Sequence, residues 1–384
     1  MSTDSREIRA DQLKPALPAR CYGDPDFFRA EAAGIFHQQW FCVGREDQLP
    51  TRGDCLHVSV AGESVIVVRG KDEKLRAFYN VCRHRGSRLV QAPALPDPAM
   101  PAAVNSGNAG AAVVCPYHAW SYQLDGSLRA APFVRFDERC PKERFSLVAV
   151  ALETWGGFIF LNLSEPREPL AAALEGPARR LARYPLAELR RGAQILYDVR
   201  ANWKAIVENY NECYHCGPVH PELCTLVPAF RDQGGAGLTW EDGVPLRPGA
   251  WTFTQSGTSD RAPFPGLSER EKTHHKGEAV LPNLLLSVAA EHVAAFVLWP
   301  RGTDATRIAC EFLFHPSEIA KPSFDPRDVT EFWDLVNRQD WRVCEGVQSG
   351  MQSRGFRGAY FSPMEDPSLD IRRYLERHLG ELAT

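Results

Sequence analysis

This chain of 384 residues is poor in several features that would otherwise set its class. No stretch is strongly basic and the formal net charge is -4, so it lacks the electrostatic footprint of a nucleic-acid binder. No G-x-G-x-x-G lies between a strand-like and a helix-like run, so a dinucleotide domain of its own is not expected. The first 20 residues contain Asp4, Glu7, Asp11 and Pro15 but no apolar core, and no signal peptide is visible. The one long apolar run, residues 281–300, is broken by Pro282-Asn283 and Glu291-His292. It reads as two buried strands joined by a turn, not as a membrane span. The 11 cysteines are odd in number and lack framework spacing; reduced thiols and a cytoplasmic location are expected. The length allows two or three domains with sizeable cores, and no internal repeat interrupts that reading.

What is present is more specific. Cys82-Arg83-His84 and Cys115-Pro116-Tyr117-His118 pair a C-x-H with a C-x-x-H. Each sits on a short loop between strand-like runs, with 63–69 and 75–79 before the first, 111–114 before the second and 119–124 after it. Cys82, His84, Cys115 and His118 form the ligand set of a Rieske [2Fe–2S] cluster, two thiolates on one iron and two imidazoles on the other. Neutral imidazoles remove negative charge from the ligand shell, which raises the potential. A zinc site from the same four residues is the sharper rival, but C-x-H spacing is tight for two ligands of one tetrahedral ion. His84 and Cys115 are separated by 30 residues, and residues 92–110, rich in Ala, Pro, Gly and Asn, read as a flexible surface insertion.

A second site follows. Residues 155–163 read as the strand that closes the first domain, 165–169 as a linker and 170–184 as helix-like. Then come His215 and His220, five apart, with Gly217-Pro218 between them to break a continuing helix. Two imidazoles and one carboxylate with open positions are the ligands of a non-haem Fe(II) oxygenase. Cys213 and Cys216 form a C-x-x-C with no second pair to answer it, so a zinc knuckle is not favoured. Over 325–350, Asp325-Pro326 read as a helix start. Val329, Phe332, Trp333, Val336, Val343, Cys344 and Val347 follow helical periodicity. Asp340 falls on that apolar stripe, where a carboxylate is costly unless paired or bound to metal. It is the expected third ligand; a buried salt bridge to Arg338 or Arg342 is the alternative.

Together these residues resemble the α subunits of Rieske non-haem iron oxygenases, the ring-hydroxylating oxygenase family. The motif 208–223 and the residues 332–341 are most similar to the subset acting on quaternary amines: glycine betaine, carnitine and choline monooxygenases and stachydrine demethylase. The resemblance implies an α+β chain. A helical segment 1–45 would pack on the catalytic domain, a Rieske β domain would span 46–165, and a helix-grip catalytic domain 166–384. It implies that Glu212, three before His215, bridges to a Rieske histidine of a neighbouring subunit, and hence a head-to-tail α3 trimer. The implied partners are O2, a small quaternary ammonium substrate, and a separate flavin/iron–sulfur reductase that brings electrons from NAD(P)H; neither nucleic acid nor membrane is expected. The implied reaction hydroxylates an N-methyl group, releasing formaldehyde. Ring hydroxylation of an arene or aromatic acid is the alternative, and a Rieske electron carrier without oxygen chemistry is a third reading. A permanently cationic substrate is best held by aromatic faces, for which Trp240, Trp251, Phe253, Phe296, Trp299 and Phe361 are candidates.

Overall fold

The computed structural model describes residues 8–90, 104–165, 167–239 and 241–382. They divide into two compact units: Phe36–Glu175, and the described residues before it together with those from Gly176 on. Both are built on antiparallel sheets with helices added. Among the described residues no helix is long and apolar enough to cross a membrane.

Among the described residues the first unit holds ten strands: β1 (Phe41–Arg45), β2 (Asp54–Val60), β3 (Glu63–Arg69), β4 (Leu75–Tyr79), β5 (Val104–Asn108), β6 (Val113–Val114), β7 (Ser121–Tyr122), β8 (Leu128–Ala130), β9 (Ala149–Trp155) and β10 (Phe158–Asn162). Seven form one sheet in the order β1-β10-β9-β4-β3-β2-β5, and β6-β7-β8 form a smaller one. Two tight hairpins set the register. Ala61-Gly62 joins β2 to β3 and Gly156-Gly157 joins β9 to β10, all four with positive φ, as a type I′ turn requires to match strand twist. The second hairpin corrects the single strand expected over 155–163: the glycines fold it back on β9. Residues 36–45, expected in the N-terminal segment, belong to this unit, and 41–45 form its strand β1. Part of the expected insertion is also corrected. Residues 104–108 form edge strand β5, paired with β2 from Asp54↔Asn108 to Val58↔Val104, and residues 92–103 lie outside the described residues.

The second unit is a six-stranded sheet in the order β11 (Arg190–Val199), β16 (Ala305–Phe314), β15 (His292–Gly302), β14 (Leu284–Val288), β13 (His274–Val280), β12 (Val244–Pro245). The apolar run 281–300 resolves into β14 and the buried part of β15, as its interrupted pattern predicts. The helix Arg327–Met351 lies across this sheet. Tyr197 of β11 donates to Asp334 at 2.8 Å, and Trp333 Nε1 donates to His292 Nε2 of β15 at 3.2 Å. Pro326, not Asp325, is the N-cap of this helix, and Asp325 just before it accepts from the N–H of Arg327 at 3.0 Å. The buried stripe runs Val329, Phe332, Trp333, Val336, Asn337, Cys344, Gln348; Val347, expected on it, is 41% exposed. Gln348 takes that place because its amide accepts from the N–H of Asn202 and donates to the carbonyl of Tyr22. Residues 170–184 are two short helices, Leu170–Ala173 and Glu175–Arg180, not one. At the N-terminal end, Tyr22 donates to Glu208 at 2.5 Å and Glu31 pairs with the fully buried Lys204 at 2.5 Å.

Candidate metal centres and the cavity between sheet and helix

Two loops in the first unit repeat one design. In each, the cysteine N–H donates to the carbonyl of the residue five on, Ser87 or Trp120, at 2.8 Å. The cysteine carbonyl accepts from the residue four on, Gly86 at 3.0 Å or Ala119 at 3.1 Å. Gly86 and Ala119 are both left-handed, with φ of 73° and 56°. Such loops turn successive N–H groups inward. Burial raises the Cys115 thiol, but the N–H groups of Tyr117 and His118 and the Cys82 side chain outweigh it, so Cys115 sits below the ordinary thiol range. Cys82 and Cys115 are each 3% exposed and belong to an apolar cluster with Ile66, Val113, Tyr122 and Leu128; the Tyr122 hydroxyl lies 3.2 Å from Cys82 Sγ. His84 and His118 are exposed, their ring centroids 4.8 Å apart, and His84 stacks on Trp120 at 4.9 Å and 7°. Two buried cysteines and two exposed histidines on matching loops fit the two-thiolate, two-imidazole ligand set that would hold a Rieske cluster.

The second constellation lies wholly in the second unit. The helix Trp203–Tyr210, capped by Asn202, ends before a loop carrying Glu212 and His215. Gly217-Pro218 do not break a continuing helix, as expected from sequence; they lie inside a new turn, Cys216–Val219, with His215 at its start and His220 just beyond it. His220 Nε2 lies 2.8 Å and His215 Nε2 3.2 Å from the same oxygen, Asp340 Oδ1. The imidazole centroids are 5.2 Å apart at 74°. Each ring is held by its other nitrogen: His220 Nδ1 donates to Gln339 Oε1 at 2.7 Å, and His215 Nδ1 donates to Glu212 Oε1. With Nδ1 of each ring donating, both Nε2 atoms are aimed at one carboxylate oxygen, an arrangement that needs a cation, proton or metal, between ring and carboxylate. Burial alone would raise Asp340, but the two histidines hold it below the usual carboxylate range. Burial likewise opposes charge on His215, yet hydrogen bonds with Asp340, Cys216 and Glu212 push it up to about 12. Three electron-pair donors converging in a field that strongly favours a cation fit a divalent metal with two imidazoles and one carboxylate.

Cys216 also stands close, and His215, Cys216 and His220 present ligand atoms within 4.8 Å of one another. A thiolate ligand is the less favourable choice. Hydrogen bonding to Cys213 and burial hold the Cys216 thiol far above its ordinary range, whereas Asp340 is ionised and contacts both imidazoles. Of the alternative partners for Asp340, Arg338 pairs instead with Asp334 at 2.7 Å. Glu212 also accepts from the backbone N–H groups of Tyr214 and His215.

Beside His215, His220 and Asp340 opens a cavity of about 320 Å³. Its aromatic lining is Tyr210, Phe230, Phe253, Phe296, Trp333 and Trp341. Trp333 meets Phe253 at 5.6 Å and Phe296 at 5.9 Å between centroids. Of the aromatic residues expected from sequence, Phe253 and Phe296 line it. Trp299 is buried elsewhere, Trp251 and Phe361 are not in the lining, and Trp240 lies outside the described residues. Trp333 is oriented by a buried relay. Its indole donates to His292 Nε2, His292 Nδ1 donates to Glu291 at 2.6 Å, and Glu291 is held by Arg261 at 2.9 Å and Thr252 at 2.7 Å. Gln339 and this relay are absent from the sequence reading; Gln339, adjacent to Asp340, answers the question of what holds the second nitrogen of His220.

A unit presenting paired Cys–His loops and a second unit with two histidines and an aspartate beneath an apolar cavity define a Rieske-type non-haem iron oxygenase. Residues 39–142 match the Rieske [2Fe-2S] domain, and residues 186–381 match the ring hydroxylating alpha subunit (catalytic domain) family, to which the chain belongs. Over 347 residues it is 32% identical to the carnitine monooxygenase oxygenase subunit of Acinetobacter baumannii, with 89% of this chain and 86% of that one covered. It is 29% identical to the glycine betaine monooxygenase oxygenase subunit of Pseudomonas aeruginosa, covering 98% of this chain and 94% of that one. A crystal structure of a quaternary ammonium Rieske monooxygenase in complex with its substrate gamma-butyrobetaine superposes with a TM-score of 0.73 at 27% identity, covering 97% of both chains. The chain is therefore an oxidoreductase with a Rieske [2Fe–2S] domain and a mononuclear-iron catalytic domain.

Proposed function

We propose that this chain is the terminal oxygenase component of a monooxygenase that hydroxylates an N-methyl group of a small quaternary ammonium compound resembling glycine betaine. The observation that carries this is the aromatic wall of Phe253, Phe296 and Trp333 in the cavity beside His215, His220 and Asp340. A quaternary ammonium offers no N–H, so ring faces are its best partners, and the relatives named for carnitine and glycine betaine act on such compounds. In this reading Cys82, His84, Cys115 and His118 hold the Rieske cluster, and His215, His220 and Asp340 hold Fe(II). The iron supplies O2 activation when bound, while the protein walls position the N-methyl carbon and exclude bulk water. One oxygen atom enters the C–H bond and the other leaves as water, using two electrons and two protons. The N-hydroxymethyl product then collapses to formaldehyde, the demethylated amine and a proton.

Electrons reach the chain from NAD(P)H through a separate flavin/iron–sulfur reductase. In an α3 trimer Glu212 would link His215 to a Rieske histidine of the neighbouring subunit and so connect the two metal-binding sites, a reading supported by the inter-subunit electron transfer described for a related quaternary ammonium monooxygenase. Glu212 has two oxygens carrying three own-chain donors, which leaves acceptor capacity for a fourth. The test is product analysis of steady-state turnover with a surrogate reductase. One formaldehyde per NAD(P)H consumed with a betaine substrate supports the proposal. A cis-diol or phenol from an arene, with no formaldehyde from any quaternary amine, moves the substrate to the aromatic class.

A further inference from the structure

The sheet floor of the cavity carries a polar group that no described residue satisfies. His275 is 5% exposed, lines the cavity, and among the described residues its Nδ1 has no hydrogen-bond partner. Its ring is clamped against Phe253 at 4.0 Å and 27°, so its edge has a fixed direction. Along β13, Gly277 and Ala279 share its face by the two-residue period, and both also line the cavity. Small side chains there keep space open over the floor beside the imidazole. Burial, with the nearby His292, holds His275 near 3, so it is neutral and carries one donor and one acceptor nitrogen. A buried nitrogen without a partner costs stability, and a ligand that supplies the partner recovers that cost.

Of the other cavity donors, the Trp341 indole N–H also lacks a partner among the described residues, but it sits on the helix wall, one residue from Asp340; the guanidinium and amide donors are engaged. Arg180 gives Nε and Nη2 to Glu278 at 2.6 and 2.5 Å. The Asn209 amide faces His215, and that of Asn211 donates to the carbonyl of Pro367. A quaternary ammonium neither donates nor accepts a hydrogen bond from nitrogen, so the group that meets His275 belongs to the other end of the substrate.

We propose that His275 is a specificity-determining residue that donates an imidazole N–H to the carboxylate of a zwitterionic substrate whose ammonium lies against the aromatic wall. This rests on the quaternary ammonium reading and narrows it from cations in general to betaines. Being neutral, His275 binds the carboxylate without repelling the ammonium, which a second guanidinium in the same cavity would do.

The test is binding and turnover with the holoprotein and three probes: glycine betaine and carnitine, which carry a carboxylate, and tetramethylammonium, which does not. His275→Phe keeps the ring stack on Phe253 and removes both nitrogens; His275→Asn returns an N–H donor. Cluster absorbance and iron content report that each variant is folded and loaded. The expected result is a loss of about ten- to a hundred-fold in affinity and kcat/KM for the better carboxylated probe in His275→Phe, the size of a hydrogen bond to a charged group. Partial recovery in His275→Asn and a change under about two-fold for tetramethylammonium complete the expected pattern. Equal losses for all probes, or none, overturn the assignment while leaving the quaternary ammonium reading intact. A native protein that binds tetramethylammonium but neither betaine overturns the assignment alone, and one that binds no quaternary ammonium at all overturns both.

Discussion

Gln339 is the residue whose removal most cleanly separates holding a ligand from being one. Its Oε1 accepts from His220 Nδ1 at 2.7 Å, and its Nε2 donates to Glu222 at 3.1 Å. The chain Glu222–Gln339–His220 thus fixes both the tautomer and the ring plane of a buried imidazole, 1% exposed. Gln339→Met keeps the length and removes the acceptor, leaving His220 free to rotate and its Nδ1–H unpaired. Loss of such a partner typically costs about ten- to a hundred-fold in metal affinity, or roughly 1.4 to 2.7 kcal/mol. The assay is Fe(II) titration of protein stripped of its mononuclear iron, with the Rieske absorbance as an internal check of folding. Gln339→Glu alone places two carboxylates together at residues 222 and 339. The double variant Glu222→Gln with Gln339→Glu relieves that and retains an acceptor for His220, so it is expected to bind iron within a few-fold of the native chain. Unchanged Fe(II) affinity in Gln339→Met would refute the argument that this relay orients His220.

Three further outcomes follow from the same geometry. Burial raises Glu208 to about 8, against the pull of the Tyr22 hydrogen bond and Lys204. The folded chain therefore holds a proton that the unfolded chain releases above about 4.5, and stability falls as pH rises from there through 8. Glu208→Gln, which keeps an acceptor for Tyr22, should melt with the native chain at pH 4 and above it at pH 8, read by thermal denaturation across pH. Glu291 is held down to about 2: burial raises it, and His292 and Arg261 more than compensate. Its stabilisation is present above about pH 4.5 and lost as pH falls through 2. Glu291→Gln weakens a buried ion pair worth roughly 3 kcal/mol to break and loosens Trp333, so it should lower Tm at pH 7 and raise KM more than it lowers kcat. Cys115→Ser should abolish the Rieske spectrum while the mononuclear site still takes up one Fe(II), because the two ligand sets share no residue; loss of both signals together would count against two independent centres.

The residues proposed to bind metal stand out in the sequence because their spacing is local. Cys82 with His84, Cys115 with His118, and His215 with His220 each lie within one turn or loop, and Asp340 stands out as a carboxylate on an apolar helical stripe. Residue type and a short period suffice for these. The cavity is less legible because it depends on which sheet face meets which helix face. Trp333 reads as core, since core and cavity wall lie on the same side of its helix. Trp299 and Phe296 stand three apart on one strand, yet only Phe296 lines the cavity. Strand β5 is hidden for a different reason: Val-Asn-Ser-Gly-Asn has little β-propensity, and it is held as a strand by pairing with β2 and by Asn108, whose amide donates to Asp54 at 2.8 Å. His275 carries no local signal, because its significance lies in a missing partner that only the assembled fold exposes.

The most direct test of the central claim is a single turnover without any reductase. The protein is reduced chemically in the absence of O2, both metal sites are verified full, and glycine betaine, stachydrine or carnitine is added before O2 is admitted. The account predicts formaldehyde and the demethylated amine in stoichiometric yield from at least one of these compounds, and none from Asp340→Ala or His215→Ala protein that retains its Rieske cluster. Fully loaded native protein that yields no formaldehyde from any of the three would contradict it.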